Sequence, residues 1–445
     1  MAVQVVTDGV PAWSVTTFSA DVTIPLGHPC MGGGIAPART VVDPLEANGF
    51  VLRGGTLDRP VVLVSVDWCE IRGEAYDRWR DALAEVAGTD RGHVLVTAIH
   101  QHDAPVVDLD AQRLLDAHHA AGAVCDPGFH EAAVTRVAGA LRHRLEQSTR
   151  PVTHLGMGTA KVDRVASNRR YELADGTISY HRTSASHDPQ AHRAPEGTID
   201  PWLKTLSLWN EDEPLLAVSH YAVHPMSYYG QGEVSADFIG MARRARQAVL
   251  PEVAQIYVSG CSGNVTAGKY NDGSRDNRPV LAGRIERAMA ESWASTKRRP
   301  LETATFRSVP LLFEPRAGLG YSGFELTERL TTDPNPYGQC LAAMGLSWRR
   351  RVSTGQPIDL PVLDLGQAVV ALLPGEAYVE YQLRAQALRP DAFVLAVGYG
   401  ESATGYIPTA RQLAEGDPNL GDWYWVSETA EGILTEGLAR AMTGT

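Results

Sequence analysis

The sequence lacks most of the marks of an exported, membrane-embedded or nucleic-acid-binding chain. Basic residues are outnumbered, with 40 Lys and Arg against 52 Asp and Glu and a formal net charge of −12. Phosphate backbones repel a chain of that sign. It also has no basic cluster of the kind that recognises acidic lipid surfaces. Nucleic acid and stable membrane anchoring are therefore not expected. No apolar run approaches the roughly 20 residues that span a bilayer. The opening stretch MAVQVVTDGVPAWSVTTFSADVT shows neither a basic n-region nor an apolar core, so no signal peptide is read there. Cysteines are few: Cys30, Cys69, Cys125, Cys261 and Cys340 are scattered, odd in number and free of CxxC spacing. Reduced thiols in a cytoplasmic protein are the simplest expectation. Internal repeats and low-complexity tracts are absent as well.

What is present is apolar material in quantity, 44% of 445 residues. Length alone suggests two or three domains, but no linker divides the chain, and residues 1–445 read as one domain. Buried-strand runs recur: VVLVSV at 61–66, HVLVTAI at 93–99, QIYVSG at 255–260, QAVVALL at 367–373 and AFVLAVGYG at 392–400. They do not alternate with polar residues, which suits strands covered on both faces. Helical spacing marks 73–88, 127–148 and 278–295. The expectation is an α/β fold of layered mixed β-sheets flanked by helices. Residues 163–203 and 402–426 fit neither pattern and read as functional loops.

Residues able to do chemistry gather where the apolar runs stop. His100 and His102 follow one run, with Asp103 beside them. In an extended segment the two imidazoles share a side, although incidental loop histidines fit the pattern equally well. His224 ends another run just before Pro225, with His220 four residues earlier as either a second site residue or a core histidine. Asp237 precedes a helical stretch and reads best as its cap. Glu376 follows a Pro374-Gly375 turn, where a helix-capping role is equally open, and Tyr406 sits between Gly405 and Pro408, where packing is the commoner role. Together, two imidazoles, a carboxylate and a phenol make a donor set that Zn²⁺ accepts. A non-haem iron site also uses two His and a carboxylate.

These segments, in this order, resemble the neutral/alkaline, non-lysosomal ceramidases in their catalytic region. The likeness runs from Phe18–Gly27 through Asp43-Pro44-Leu45, the strand ending at Asp67, His100–Pro105, Asn168-Arg169, Ala222–Pro225, Asp237, Ser262–Thr266 and Pro374–Glu376 to Gly405-Tyr406. It implies one zinc ion held by His100, His224, Glu376 and Tyr406, with His102, Arg169, Tyr406 and Thr266 as catalytic residues. It implies hydrolysis of an amide (N-acyl) bond by a zinc-bound hydroxide, with Asp103 or Asp67 orienting a histidine. An esterase or lactonase, a zinc lyase and a non-catalytic metal-dependent binding protein are the alternatives. The chain departs from the family at Gln101, Asp103 and Thr266. Tyr424 stands as a substitute for a second active-site tyrosine, and the family's immunoglobulin-like C-terminal domain is missing. A soluble small-molecule acyl substrate is therefore expected in place of a membrane lipid.

Overall fold

The computed structural model describes residues 13–444; the leader-free reading of the N-terminus rests largely on residues outside that span. Three sheets carry the architecture. The first, of five strands, runs in the order Val94–Ala98, Val61–Val66, Glu46–Arg53, Ser14–Asp21 and Arg150–Pro151. The second, also of five, runs Ala254–Ser259, Glu213–Tyr221, Trp202–Asn210, His154–Lys161 and Lys297–Pro300. The third, of four, runs Thr305–Leu311, Ile358–Asp364, Ala368–Leu372 and Phe393–Val397. Each sheet is antiparallel except for one parallel pair at an edge. The expected layered α/β fold of mixed sheets flanked by helices is thus what the chain adopts.

The unalternating apolar runs have a direct explanation. In Val61–Val66, Val61 and Leu63 face a core shared with Leu206, Val218, Ile256, Val370 and Leu395 of the other two sheets. Val62, Val64 and Val66 face a second core with Trp79 and Leu83 of the helix Gly73–Ala87 and Val134 of the helix Pro127–Gln147. Burying a side chain of this size stabilises the fold by about 1.5–3 kcal/mol, and the polar residues these strands do carry have their hydroxyls bonded, Ser65 to Tyr257 O and Thr97 to Gly398 O. The helix Pro127–Gln147 begins where the sequence places a cap. Asp126 accepts from the amides of Gly128 and Phe129, and Pro127 occupies the first turn. Among the described residues no helix is long and apolar enough to cross a membrane.

The three parallel pairs meet at their carboxyl ends and are stitched there by hydrogen bonds. Ala98 N donates to Tyr399 O at 3.0 Å, Gly398 N to Ser259 O at 2.9 Å, and Ser259 Oγ to Ile99 O at 2.8 Å. Parallel strands expose their carboxyl ends as ligand crevices, and here three such crevices become one. This junction is where His100, His224 and Glu376 leave their strands.

Candidate metal centre

His100 lies two residues beyond Val94–Ala98, its amide donating to Trp68 O at 3.0 Å. Its φ is +71°, so the His-Gln-His segment is not extended as its sequence suggests. The strand ends at Ala98, and Ile99 and His100 follow the backbone of residues 66–68 instead. A left-handed conformation costs a non-glycine residue on the order of 1–3 kcal/mol and persists where its surroundings over-determine it. His224 is fixed by its amide on Val265 O at 2.9 Å. Glu376 follows Gly375, whose φ is +54°. An added Cβ there would collide with Thr404 Oγ1 and the Gly405 carbonyl, so only glycine delivers Glu376 to this place. Glu376–Ala377 then pairs in parallel with Tyr406–Ile407.

These side chains converge. Glu376 Oε2 lies 3.1 Å from His100 Nε2 and 3.1 Å from His224 Nε2. The Nδ1 of His100 faces Cys69 O at 3.1 Å, and that of His224 faces Ser262 O at 2.6 Å. Carbonyl oxygens only accept, so each Nδ1 carries the ring proton and each neutral ring turns an unprotonated Nε2 toward the carboxylate. Three lone pairs therefore point into one space, which a cation relieves, and backbone anchoring of this kind is how metal-binding histidines are oriented. Ligand atoms of His100, His224 and Glu376 lie within 4.8 Å of one another. A second group shares His100 and adds Cys69 and His102. Burial, reinforced by Glu70 and Glu376, holds the Cys69 thiol protonated. The thiolate is the form that binds metal, so the two-histidine, one-carboxylate set fits a metal better.

The electrostatics of the cluster pull in opposite directions. Burial opposes ionisation of Glu376, but His100 and His224 override it and hold the carboxyl well below the usual range. Burial, then Arg169, lowers His224 to about 4. Burial also disfavours charge on His100, although Glu376 outweighs it and raises this imidazole. His102, partly buried, has its Nε2 3.4 Å from His100 Nε2 and its Nδ1 without a partner. Burial and the neighbouring imidazoles lower it well below its ordinary value.

Arg169 joins the cluster from the segment 163–203. Its amide donates to Asn264 O at 2.8 Å, its Nη1 donates to the Tyr406 oxygen at 2.9 Å, and its Nη2 donates to His224 Nε2 at 3.2 Å. Burial, only partly countered by Arg169, raises the Tyr406 phenol, and a hydrogen bond to Glu376 adds to the rise. The cavity in front of this group measures about 100 Å³. It is walled by His100, His102, Glu376 and Tyr406 with Met31, Cys69, Glu70, Tyr229 and Trp423. The two irregular segments close around it, Arg169 coming from 163–203 and Tyr406 and Trp423 from 402–426. They are clasped by Arg170 and Tyr180, which both bond Glu415.

Several sequence expectations are corrected. Thr266 does not join the cluster: its hydroxyl donates to Thr183 O at 2.8 Å and accepts from Gly268 N. The loop reaches His224 through the carbonyls of Ser262 and Val265 instead. Neither Asp67 nor Asp103 orients a histidine. Asp67 binds Arg243 and the Glu46 amide, and Asp103 accepts from Gly230 N at 3.0 Å. His220 is a core histidine on Ala396 O. Asp237 is the first residue of its helix, after Ala236, and is held by Ser227 and Arg278. Tyr424 pairs with Gly405 and lies under Arg316, while its neighbour Trp423 reaches the cavity. The aromatic side chains beside the histidines are ones the sequence did not single out. Tyr399 stacks on His100 at 4.4 Å, and Tyr229 meets His102 edge-on at 5.0 Å. Glu70 was missed too. Burial, then opposed by Arg72 and reinforced by Glu376, raises its carboxyl to about 7.

Comparison with known proteins places the fold. The chain has the fold of the neutral ceramidase catalytic region. A crystal structure of neutral ceramidase from Pseudomonas aeruginosa superposes with a TM-score of 0.70 at 16% identity, covering 98% of this chain and 75% of that one. A ceramidase complexed with C2 gives a TM-score of 0.71 at 15% identity with the same coverage. No family model and no curated protein matches the sequence.

Proposed function

We propose that the protein is a zinc-dependent hydrolase that cleaves an amide (N-acyl) bond of a soluble small molecule. The observation that carries this is the convergence of His100 Nε2, His224 Nε2 and Glu376 Oε2, with both imidazole protons committed to backbone carbonyls. The ceramidase fold supports an amide as the bond cleaved. Nitrogen and carboxylate donors with room for a further ligand suit a catalytic zinc. When bound, the metal would supply Lewis acidity and lower the pKa of water.

The chain's own residues divide the remaining work. His100, His224 and Glu376 would hold the ion, with Tyr406, the fourth ligand that the resemblance implies, beside them as a protonated phenol. Arg169 stays charged and presents its guanidinium beside Tyr406, where an acyl oxygen would gain negative charge. Fixed donors at that point are usually the largest single contribution to acyl-transfer catalysis. Burial keeps the Tyr406 phenol protonated, which supports a role as second oxyanion donor. His102 is neutral, so it can accept the proton of attacking water. The same environment that disfavours its cation makes it pass that proton on to the leaving nitrogen.

Activity of the zinc-loaded protein on N-acyl amines, N-acyl amino acids and matched esters tests the reading. Cleavage of amides that is abolished by chelation is expected. Cleavage of esters alone would replace the amidase with an esterase, and no hydrolysis of either class would overturn the proposal.

A further inference from the structure

The cavity wall contains a carboxylate that the hydrolytic machinery does not use. Glu70 is completely buried, in the short strand Glu70–Ile71 that pairs with Val106–Val107. Its Oε2 accepts from Arg72 Nη1 at 3.0 Å, while its Oε1 is buried without a hydrogen-bond partner. Arg72 cannot turn to satisfy it. The same guanidinium donates to Asp108 at 3.2 Å and to Ala403 O at 3.2 Å, and it is itself buried. The carboxylate is thus clamped from behind with one oxygen unspent, beside the cavity that Glu70 lines together with His100, His102 and Glu376. A buried acceptor left unpaired is destabilising, and a ligand that donates to it recovers that cost.

We propose that Glu70 is a specificity residue whose free oxygen accepts a hydrogen bond from a hydroxyl or ammonium group carried by the substrate close to its scissile carbonyl. This rests on the hydrolase reading for the position of the carbonyl. It adds a substrate class: acyl compounds with a donor within one or two bonds of the reacting centre. The buried Arg72 guanidinium favours the ionised, accepting form of the carboxylate against the burial that raises it.

Glu70→Gln gives the test its direction. Its carbonyl oxygen must stay on Arg72, because an amide NH₂ cannot face a guanidinium, so the NH₂ takes the place of Oε1. The acceptor in the wall becomes a donor. Three metal-chelating probes share one head group and differ at a single substituent: glycolohydroxamate carries a hydroxyl, glycine hydroxamate an ammonium, and methoxyacetohydroxamate only an acceptor. Calorimetric titration of the zinc-loaded wild type should show the hydroxyl or ammonium probe binding about 10-fold or more tighter than the methoxy probe, the scale of one charge-assisted hydrogen bond. Whichever probe wins identifies the donor. In Glu70→Gln, with zinc content and melting temperature unchanged, the preference should vanish or reverse. Equal affinities in the wild type, or an unaltered preference in the variant, would overturn the role of Glu70 and leave the hydrolase reading standing. A protein that takes up no metal and binds no hydroxamate would overturn that reading, and this one with it.

Discussion

Glu376 and Tyr406 are register partners in a two-residue parallel pairing, and Arg169 joins them by donating to the Tyr406 oxygen at 2.9 Å. Two loop residues thirty positions apart are thereby fixed with the precision of a sheet. Gly375 makes the pairing possible, because its positive φ and the crowding of Thr404 and Gly405 exclude a Cβ. Gly375→Ala should therefore displace Glu376. The expected result is a loss of about 1–3 kcal/mol of stability and a large fall in zinc content. Chemical denaturation and elemental analysis check both. Wild-type values would show that the turn is tolerant and the pairing incidental.

His102 separates metal binding from proton transfer. His102→Ala should retain zinc, since this ring is outside the two-histidine, one-carboxylate set, and should lose roughly 10²–10⁴-fold in turnover, the usual size of a general acid/base contribution. Zinc lost together with activity would make His102 a ligand.

Arg169 donates from Nη1 to the Tyr406 oxygen, and its Nη2, which lies on His224 Nε2 here, would be released toward an acyl oxygen by zinc on that nitrogen. A lysine ammonium is a single point and cannot span both. Arg169→Lys should fold and bind zinc but fall by about 10²–10³-fold in turnover, the scale of a lost oxyanion donor. Tyr406→Phe removes one oxygen and keeps the ring, and should lose about 10²-fold with zinc retained. Undiminished turnover in either variant would reduce that residue to packing.

Much of this was legible in the sequence, and the limits have physical causes. Runs such as VVLVSV announced strands covered on both faces, and the places where they stop announced His100, His224 and Glu376. Their assembly required three sheets to meet at their parallel edges, which no local pattern encodes. Tyr406 came from family resemblance alone, because a tyrosine between glycine and proline carries no chemical signal by itself. The groups that orient the histidines are the carbonyls of Cys69 and Ser262, and a carbonyl has no side-chain identity to read. That is why Asp67, Asp103 and Thr266 were mistaken for the orienting and reacting groups. Glu70 was hidden inside an apolar stretch between Cys69 and Ile71.

Acid stability should follow the buried core histidines. Burial lowers both His130 and His220 to about 4, against 6.5 for the unperturbed ring. Below pH 6.5 the unfolded chain takes up protons that the folded chain refuses, so stability is complete above that pH and is lost as pH falls toward 4. The metal-stripped protein should show a urea midpoint that declines steadily from pH 7 to pH 4.5. His220→Gln should shallow that decline. A midpoint independent of pH across this window would contradict the neutral burial of both rings.

The central claim is that His100, His224 and Glu376 form one metal-binding set, and the zinc content of the purified protein tests it most directly. Elemental analysis should find about one zinc per chain in the wild type and a small fraction of that in His100→Ala, His224→Ala and Glu376→Gln, each checked for a folded melting transition. Full zinc content in all three folded variants, or a wild-type protein that neither carries zinc nor takes it up after chelation, would contradict the account.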